Sequence, residues 1–450
     1  MEKEQYIVAL EIGSSKILGA VATKNARGAV SVIAIEEEKV VDCVRYGCIQ
    51  NVEETNTRIN RIIKKLENRS SISPRKIKGV YVGINGRSLR NIVTEVERAL
   101  NDEMAITEQV IENIKEESIR VPFAGFDILD VVPRRYAIDK VEAKSPVGMF
   151  GSHINAKLNL IVAKPQIKTN LKRVLDERLQ LAVKGYFITP ICVANDVLTS
   201  DERQLGCMLV DFGAETTTVS IYKNDVLMYL ATLPIGSRNI TRDITSLKVL
   251  EESAEEIKKT IGNAIASENE SSRLNIEGIN AGEVSNYIVA RVGEIVANII
   301  EQTAYADMTA DDIPGGIVVV GGGSKLKGFT ELLEQQSKLR VRKGNVGNQV
   351  NILEGRINSA DYVQVISLLS KGAEVIGPND DCCELPPNQD VSKTQNQDLN
   401  LNVEDKSVRE PKEPKRTFGK KILEKLRASA ENMFKEGSDE EDEDEDDEKR

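Results

Sequence analysis

Two acidic residues, Glu11 and Asp211, stand in closely similar surroundings in this 450-residue chain. Glu11 ends the run Val8-Ala9-Leu10 and is followed by Gly13, Ser14, Ser15 and Lys16. Asp211 ends Leu209-Val210 and is followed by Gly213, Thr216 and Thr217. A turn of glycine and hydroxyl residues between two strands gathers backbone N–H groups and hydroxyls into one concavity, which is the chemistry that wraps phosphate. Gly13 and Gly213 permit close backbone approach, and Lys16 adds a positive charge. The two carboxylates at the strand ends suit Mg²⁺ held through water, since Mg²⁺ takes oxygen ligands and keeps much of its hydration shell. Taken singly, each motif also describes an ordinary hairpin turn. A third motif sharpens the reading: Ile317-Val318-Val319-Val320 runs into Gly321, Gly322, Gly323 and Ser324. Three glycines let a flat ring or a ribose lie against backbone, and a helix start beyond them favours an anion. The third glycine of the dinucleotide fingerprint is missing and no GxxxxGK[ST] occurs, so Rossmann and P-loop readings fail.

The elements that must carry these turns are legible as hydrophobic patterns. Residues 6–10, 17–23 and 30–35 alternate apolar and polar with β-branched enrichment, a three-strand meander. A helical pattern through Val52, Ile59, Ile62, Ile63 and Leu66 follows, then a strand at 79–84. The sequence repeats this plan with strands at 207–211, 217–222 and 226–233, helical stretches and a buried-type strand at 317–320, which points to a duplicated fold. Residues 87–163, strand-rich around a helix at 108–118, suffice for a small α/β subdomain, and residues 237–306 read as a helical insertion.

Composition narrows the chemistry. The chain is 40% hydrophobic and 29% charged, enough to bury a core. Of the net charge of −11, the last twelve residues, ten acids and then Lys449 and Arg450, contribute −8. The remaining body is near neutral, so a broad nucleic-acid surface is not expected. A single histidine, His153, and no tryptophan set aside Ser-His-Asp and Cys-His catalysis and multi-histidine metal sites. Cys43, Cys48, Cys192, Cys207, Cys382 and Cys383 show no CxxC pair or disulfide spacing and read as reduced thiols, with Cys382 and Cys383 in a segment too polar to fold. Residues 1–5 are polar and lead straight into a strand, so no signal peptide is expected. The apolar stretch 287–300 is interrupted by Arg291, Glu294 and Asn298, an amphipathic helix and not a membrane span.

The three turns in this order resemble the phosphate-1, phosphate-2 and adenosine motifs of the actin/Hsp70/sugar-kinase superfamily. Asp130-Val-Val-Pro133-Arg-Arg-Tyr136-Ala-Ile-Asp139, with Ser145-Pro146-Val147-Gly148-Met-Phe-Gly151, resembles the inserted subdomain of the FtsA family of bacterial cell-division proteins. Leu198-Thr-Ser-Asp201-Glu202-Arg203-Gln-Leu-Gly206 does so too, and Ser253-Ala254-Glu255-Glu256-Ile257-Lys258 is similar to the family's nucleotide-side helix. The resemblance covers residues 5 to about 376. It implies an α/β, actin-like, two-lobed duplicated ribonuclease-H-like fold with ATP and Mg²⁺ between the lobes. Gly13, Ser14, Ser15, Lys16, Asp211, Gly213, Thr216 and Thr217 would hold the phosphates, Glu255 and Lys258 the ribose, and Gly321, Gly322, Gly323 and Ser324 the adenosine; Glu11 and Asp211 would hold Mg²⁺ through water. It also implies filament formation by self-association, and tethering of the FtsZ ring to the cytoplasmic face of the inner membrane at the division site. The FtsZ C-terminal peptide would dock on 237–306 and other division proteins on 87–163.

The division expected is a first lobe at 1–86 and 164–198, the inserted subdomain at 87–163, a second lobe at 199–236 and 307–377, and its helical insertion at 237–306. A disordered linker at 378–415, an amphipathic helix at 416–436 and an acidic tail at 437–450 complete it. In that helix Phe418, Ile422, Leu426 and Phe434 share one face while Lys420, Lys421, Lys425 and Arg427 carry charge. Residues 412–427 sum to +5, the pattern of a segment lying on an anionic membrane surface. The sequence departs from the superfamily in three places. Glu11 stands where Asp is commoner. Ala214-Glu215 replaces Gly-Gly and sets a bulky anion near the phosphates. Asn195 and Asp196, candidates to position water, equally suit helix capping. At most a weak ATPase is expected. The rival readings are a pilus-assembly adaptor of the same fold, a small-molecule kinase and an Hsp70-type chaperone. The basic helix and the polar linker disfavour the first and the last.

Overall fold

The computed structural model describes residues 4–386 apart from 101–104, 121–124, 266–274, 277–278, 348–349, 354–357 and 379. The amphipathic helix, the acidic tail and most of the expected linker therefore lie outside the described residues.

The first lobe is built on a six-stranded sheet ordered β12 (Ala182–Ile188), β7 (Gly79–Ile84), β1 (Gln5–Ile12), β2 (Lys16–Lys24), β3 (Val30–Lys39) and β20 (Val350–Ile352). The hairpin β4 (Val44–Arg45) and β5 (Cys48–Ile49) follows β3. Helix α1 (Val52–Glu67) is capped by the Asn51 side chain on the Glu54 amide and buries Ile59, Ile62 and Leu66. The space above Gly19 of β2 is filled by Ile62 and Leu66, whereas Gly372 of α10 (Val363–Val375) lies against Ile7 and Tyr81. With a helix on each face, β1 is buried over its last six residues and β2 over all but its ends, in place of the expected alternation. Residues 350–352 and 363–375, expected in the second lobe, thus pack in the first, because β20 pairs with β3 and α10 covers β1.

The second sheet has nine strands, ordered β10 (Val141–Ala143), β9 (Asp127–Ile138), β11 (His153–Ala163), β8 (Arg90–Ala99), β15 (Val226–Leu233), β14 (Thr217–Lys223), β13 (Cys207–Phe212), β18 (Ile317–Val320) and β19 (Val341–Lys343). Its first four strands, with α2 (Glu108–Ser118), form a separate small core of Val96, Ile114, Tyr136, Ile154 and Leu158. They join the rest through one strand pair, Arg90 with Ala231. Asn91 accepts from the Leu230 amide there, and Asn159 donates to the Leu227 carbonyl. Over the other strands pack α6 (Ser237–Ile244), α7 (Glu251–Ile261), α8 (Ala281–Tyr305) and α9 (Phe329–Ser337), around Phe212, Ile240, Ile288, Val292 and Phe329. A short ribbon, β16 (Asn275–Ile276) with β17 (Ile279–Asn280), precedes α8. Helices α3 (Gln166–Lys172), α4 (Thr189–Val197) and α5 (Ser200–Leu205) carry the chain from the inserted strands through β12 to β13.

Cys382 and Cys383 correct the sequence reading. Both are buried, and β21 (Cys383–Glu384) pairs antiparallel with β6 (Lys76–Ile77). The Asp381 carboxylate accepts from the Tyr6 and Cys383 amides, the Cys382 amide donates to the Tyr6 carbonyl, and Lys184 binds Asp380. A polar average over the segment hides two small apolar thiols that fit the edge of the first lobe.

Candidate functional site

The duplication is visible bond by bond. In the first turn the Gly13 amide donates to the Lys16 carbonyl at 3.0 Å; in the second the Gly213 amide donates to the Thr216 carbonyl at 2.9 Å. Glu11 pairs across its hairpin with Leu18, one residue pair short of the turn, and Asp211 holds the same place opposite Thr218. Each carboxylate strand also has a parallel neighbour, β7 beside β1 and β18 beside β13. Asn85, just beyond β7, donates to Glu11 Oε1 at 3.3 Å. Gly321, just beyond β18, packs on Asp211.

The turns line a common cleft of about 1260 Å³. Among the expected residues, Glu11, Gly13, Ser14, Ser15, Lys16, Asp211, Gly213, Thr216, Glu255, Lys258, Gly321, Gly322 and Gly323 line it. Two do not. The Thr217 hydroxyl donates to the Ile235 carbonyl, leaving Thr218 to face the cleft, and the Ser324 hydroxyl donates to the Gly321 carbonyl and braces the glycine turn from behind. The three glycines have different tasks. Gly321 has φ +88°, and a Cβ there would sit 2.4 Å from Asp211 Oδ1. A Cβ on Gly323 would strike the Phe212 ring, whereas one on Gly322 would meet nothing within 4 Å.

The carboxylate pair is electrostatically loaded. Burial, with Asp211 adding to it, pushes the Glu11 carboxyl up to about 7, against the opposing pull of Lys16 and Asn85. Burial also raises Asp211, although Gln364 Nε2 donates to both its oxygens at 3.0 and 3.1 Å. The folded protein therefore holds protons that the unfolded chain gives up between pH 4.5 and 7, so the ligand-free protein loses stability as pH rises through that window. Glu11→Gln is expected to flatten the slope and to raise the melting temperature at pH 8, by up to about 3 kcal/mol in stability, with little effect at pH 4.5. Equal melting shifts at both pH values would contradict the assignment.

At the far side of the cleft Glu255 Oε2 accepts from Thr241 Oγ1 (2.5 Å) and from Lys258 Nζ (2.7 Å). Lys258 also reaches the Ser237 carbonyl and Thr241 Oγ1, so its charge is fully engaged, and burial lowers its pKa despite the neighbouring Glu255. Lys16 is the more adaptable cation, bridging to Glu37 at 3.1 Å and lying over the Tyr362 ring. Sequence reasoning missed Asn85, Thr218, Thr241 and Gln364. Asn85 ends a recognisable strand beside β1 and was findable; Gln364, 153 residues from its partner, has no local signal.

One expectation needs correction. Glu215 does not line the cleft: its side chain is 1% exposed and engaged by Arg45, Arg238, Arg242 and the Tyr46 amide. The turn folds its anion sideways, away from the cleft. Neither Asn195 nor Asp196 lines the cleft either. Asn195 accepts from Arg203, and Asp196 faces Ser370 and Ser367 of α10, its carboxyl raised by burial. Among the described residues no group of three or more His, Cys, Asp or Glu forms a metal site, and no helix is long and apolar enough to cross a membrane.

Two lobes, each a hairpin-tipped sheet with a carboxylate at the tip, meeting over one cleft, define an actin-like fold. The solved structure of a PilM–PilN type IV pilus biogenesis complex shares it, with a TM-score of 0.59 over 82% of this chain and 98% of that one, at 15% identity. The family model for cell division protein FtsA matches residues 208–367, and that for the SHS2 domain inserted in FtsA matches residues 86–162. Cell division protein FtsA of Porphyromonas gingivalis is 31% identical over 78% of this chain and 76% of its own length. That of Streptococcus pneumoniae is 29% identical over 84% and 85%. The chain belongs to the FtsA family of cell division proteins.

Proposed function

We propose that this protein binds Mg-ATP in the cleft, assembles into filaments and holds the FtsZ ring to the cytoplasmic face of the membrane, at most as a weak ATPase. The observation that carries the nucleotide reading is the pair of matched turns with Glu11 and Asp211 at equivalent register positions on one cleft. The donor set fits the ligand. Turn amides and the Ser14, Ser15 and Thr216 side chains suit phosphate oxygens, and Lys16 would exchange its contact with Glu37 for them. Two carboxylates suit a hydrated Mg²⁺, which uses one or two carboxylates together with phosphate oxygens, and the bound cation would release the proton burden on Glu11. Gly322 leaves the adenosine side open, and Glu255, lining the same cleft, would meet the ribose. Slow turnover is in keeping with Asn195 and Asp196 both lying off the cleft, so that neither can orient a water there.

The membrane half of the proposal rests on residues 416–436, with Phe418, Ile422, Leu426 and Phe434 entering the interface and Lys420, Lys421, Lys425 and Arg427 meeting anionic headgroups. FtsZ would present its C-terminal peptide to the helical region 237–306, and other division proteins would meet the inserted strands at 87–163. Co-sedimentation with anionic vesicles and FtsZ, with and without ATP, tests the whole: FtsZ should reach lipid through this chain.

A further inference from the structure

Glu215 stands in the second turn, between Gly213 and Thr216, and the structure uses its side chain for something specific. Its Oε1 accepts from Arg45 Nε (2.8 Å), Arg238 Nη1 (3.1 Å) and Arg242 Nη2 (3.2 Å), and its Oε2 accepts from the Tyr46 amide (2.7 Å). Arg238 and Arg242 belong to α6 of the second lobe; Arg45 and Tyr46 belong to the β4–β5 hairpin of the first. One buried carboxylate thus joins the lobes at the lip of the cleft. Arg238 makes a second crossing to the Val41 carbonyl. Burial opposes the charge on Glu215, but the Tyr46 amide, Arg238 and Arg45 more than offset it and hold the carboxyl below its ordinary value.

The hairpin gripped in this way is strained and is wired to the phosphate turn. Tyr46 and Gly47 are its central residues, both with positive φ (51° and 71°), and the left-handed region is unfavourable for a bulky side chain such as tyrosine. Such a conformation persists where its surroundings over-determine it. Here the Tyr46 amide is held by Glu215, its carbonyl accepts from the Arg87 amide, and its ring lies beneath the Arg45 and Arg87 guanidiniums. The next amide, Gly47 N–H, donates to Ser14 Oγ at 2.8 Å, and Gly47 packs on Gly86, next to the Asn85 that holds Glu11. On the other lobe the Ser237 and Arg238 amides donate to the Gly213 and Ala214 carbonyls, which ties α6 to the second turn.

The structure assigns Glu215 the role of an interlobe clasp: a positioning residue that, through Tyr46 and Gly47, fixes Ser14 of the first phosphate turn against the second turn and so slows the opening of the cleft. The inference rests on the proposed nucleotide site for its consequence and on the contacts alone for its existence, and two measurements separate these. In the nucleotide-free protein, Glu215→Ala should speed hydrogen exchange at the Tyr46 and Gly47 amides on the order of tenfold or more, the scale set by losing charge-assisted hydrogen bonds. Glu215→Gln, which keeps an acceptor for the Tyr46 amide, should fall between. With a fluorescent ATP analogue, dissociation should accelerate roughly tenfold in Glu215→Ala and in Arg45→Ala, and the double variant should be no faster than either, as for two partners of one contact. Unchanged exchange at Tyr46 and Gly47 would overturn the clasp whatever the cleft binds. Unchanged or additive dissociation rates, in variants that bind the analogue, would overturn its role in gating. If the wild type bound no analogue, that result would fall on the nucleotide reading, and the exchange measurement would still decide the clasp.

Discussion

Asp211→Ala should cost Mg-ATP affinity on the order of a hundredfold, about 2.7 kcal/mol, while leaving the weaker affinity for ATP in EDTA unchanged. Asp211 sits at the tip of β13, shares the cleft floor with Glu11, and spends its hydrogen-bonding capacity on Gln364 alone among the described residues, with bonds of 3.0 and 3.1 Å. Asp211 lines the cleft, and the paired bonds from Gln364 orient its carboxylate, as a water-mediated Mg²⁺ contact needs. Removing it takes away one of two carboxylates and leaves Glu11 with less repulsion and a lower pKa, so Mg-free binding gains as much as it loses. Asp211→Asn, which preserves the size and can still meet Gln364, should reproduce the Mg-dependent loss; that separates charge from packing. Gly322→Val is the complementary probe. Its side chain enters open space, where a Cβ meets nothing within 4 Å, so the fold should tolerate it while the adenosine side is blocked with and without Mg²⁺. Gly321→Val would not serve, because it collides with Asp211 and Phe212. Calorimetry showing wild-type affinity in both Asp211→Ala and Gly322→Val would remove the nucleotide from this cleft.

Replacing Phe418 and Leu426 together by Glu should abolish pelleting with anionic vesicles. Residues 418–434 as a helix span about 25 Å, enough to lie flat in the interface with Phe418, Ile422, Leu426 and Phe434 inward. Basic residues near an anionic surface contribute roughly 1 kcal/mol each, and each buried apolar side chain adds roughly 1.5–3 kcal/mol. Two glutamates remove two of the four apolar anchors and two units of net charge at once, more than a marginal single helix can lose. Ten acids beginning at Asp439, five residues beyond Phe434, work against the same attraction. Deletion of 439–450 should accordingly strengthen vesicle binding, most at low salt, where screening is weakest. Filament formation would link many such helices and supply avidity. Pelleting by the double-glutamate variant would show that the anchor lies elsewhere, and an unchanged affinity of the tail deletion at 50 mM salt would make the acids merely solvating.

How much of this was readable in advance follows from how local each signal is. Both turns, Gly13 to Lys16 and Gly213 to Thr216, declare themselves through composition and flanking strands, and the register that makes Glu11 and Asp211 equivalent follows from the repeat. The strands at 79–84 and 317–320 stand at those residues because continuous apolar runs bounded by turn residues leave little choice. Thr217 and Ser324 were misplaced into the cleft for one reason: in a strand or a tight turn adjacent side chains point opposite ways, and a motif does not say which hydroxyl is inward. Glu215 was misread for another. A carboxylate beside a phosphate turn looks like a repulsive neighbour until three arginines from positions 45, 238 and 242 are brought around it, and only tertiary structure does that. The pairing of β21 with β6, joining residues 383 and 77, is invisible for the same cause.

Flotation of anionic vesicles with purified FtsZ, this chain and Mg-ATP puts the tethering role to its most direct test. The proposed function predicts FtsZ at the lipid fraction only when the chain is present, more with ATP than without, and none with the Phe418→Glu/Leu426→Glu variant. FtsZ that floats equally well without the chain, or a chain that floats and leaves FtsZ behind, would contradict it.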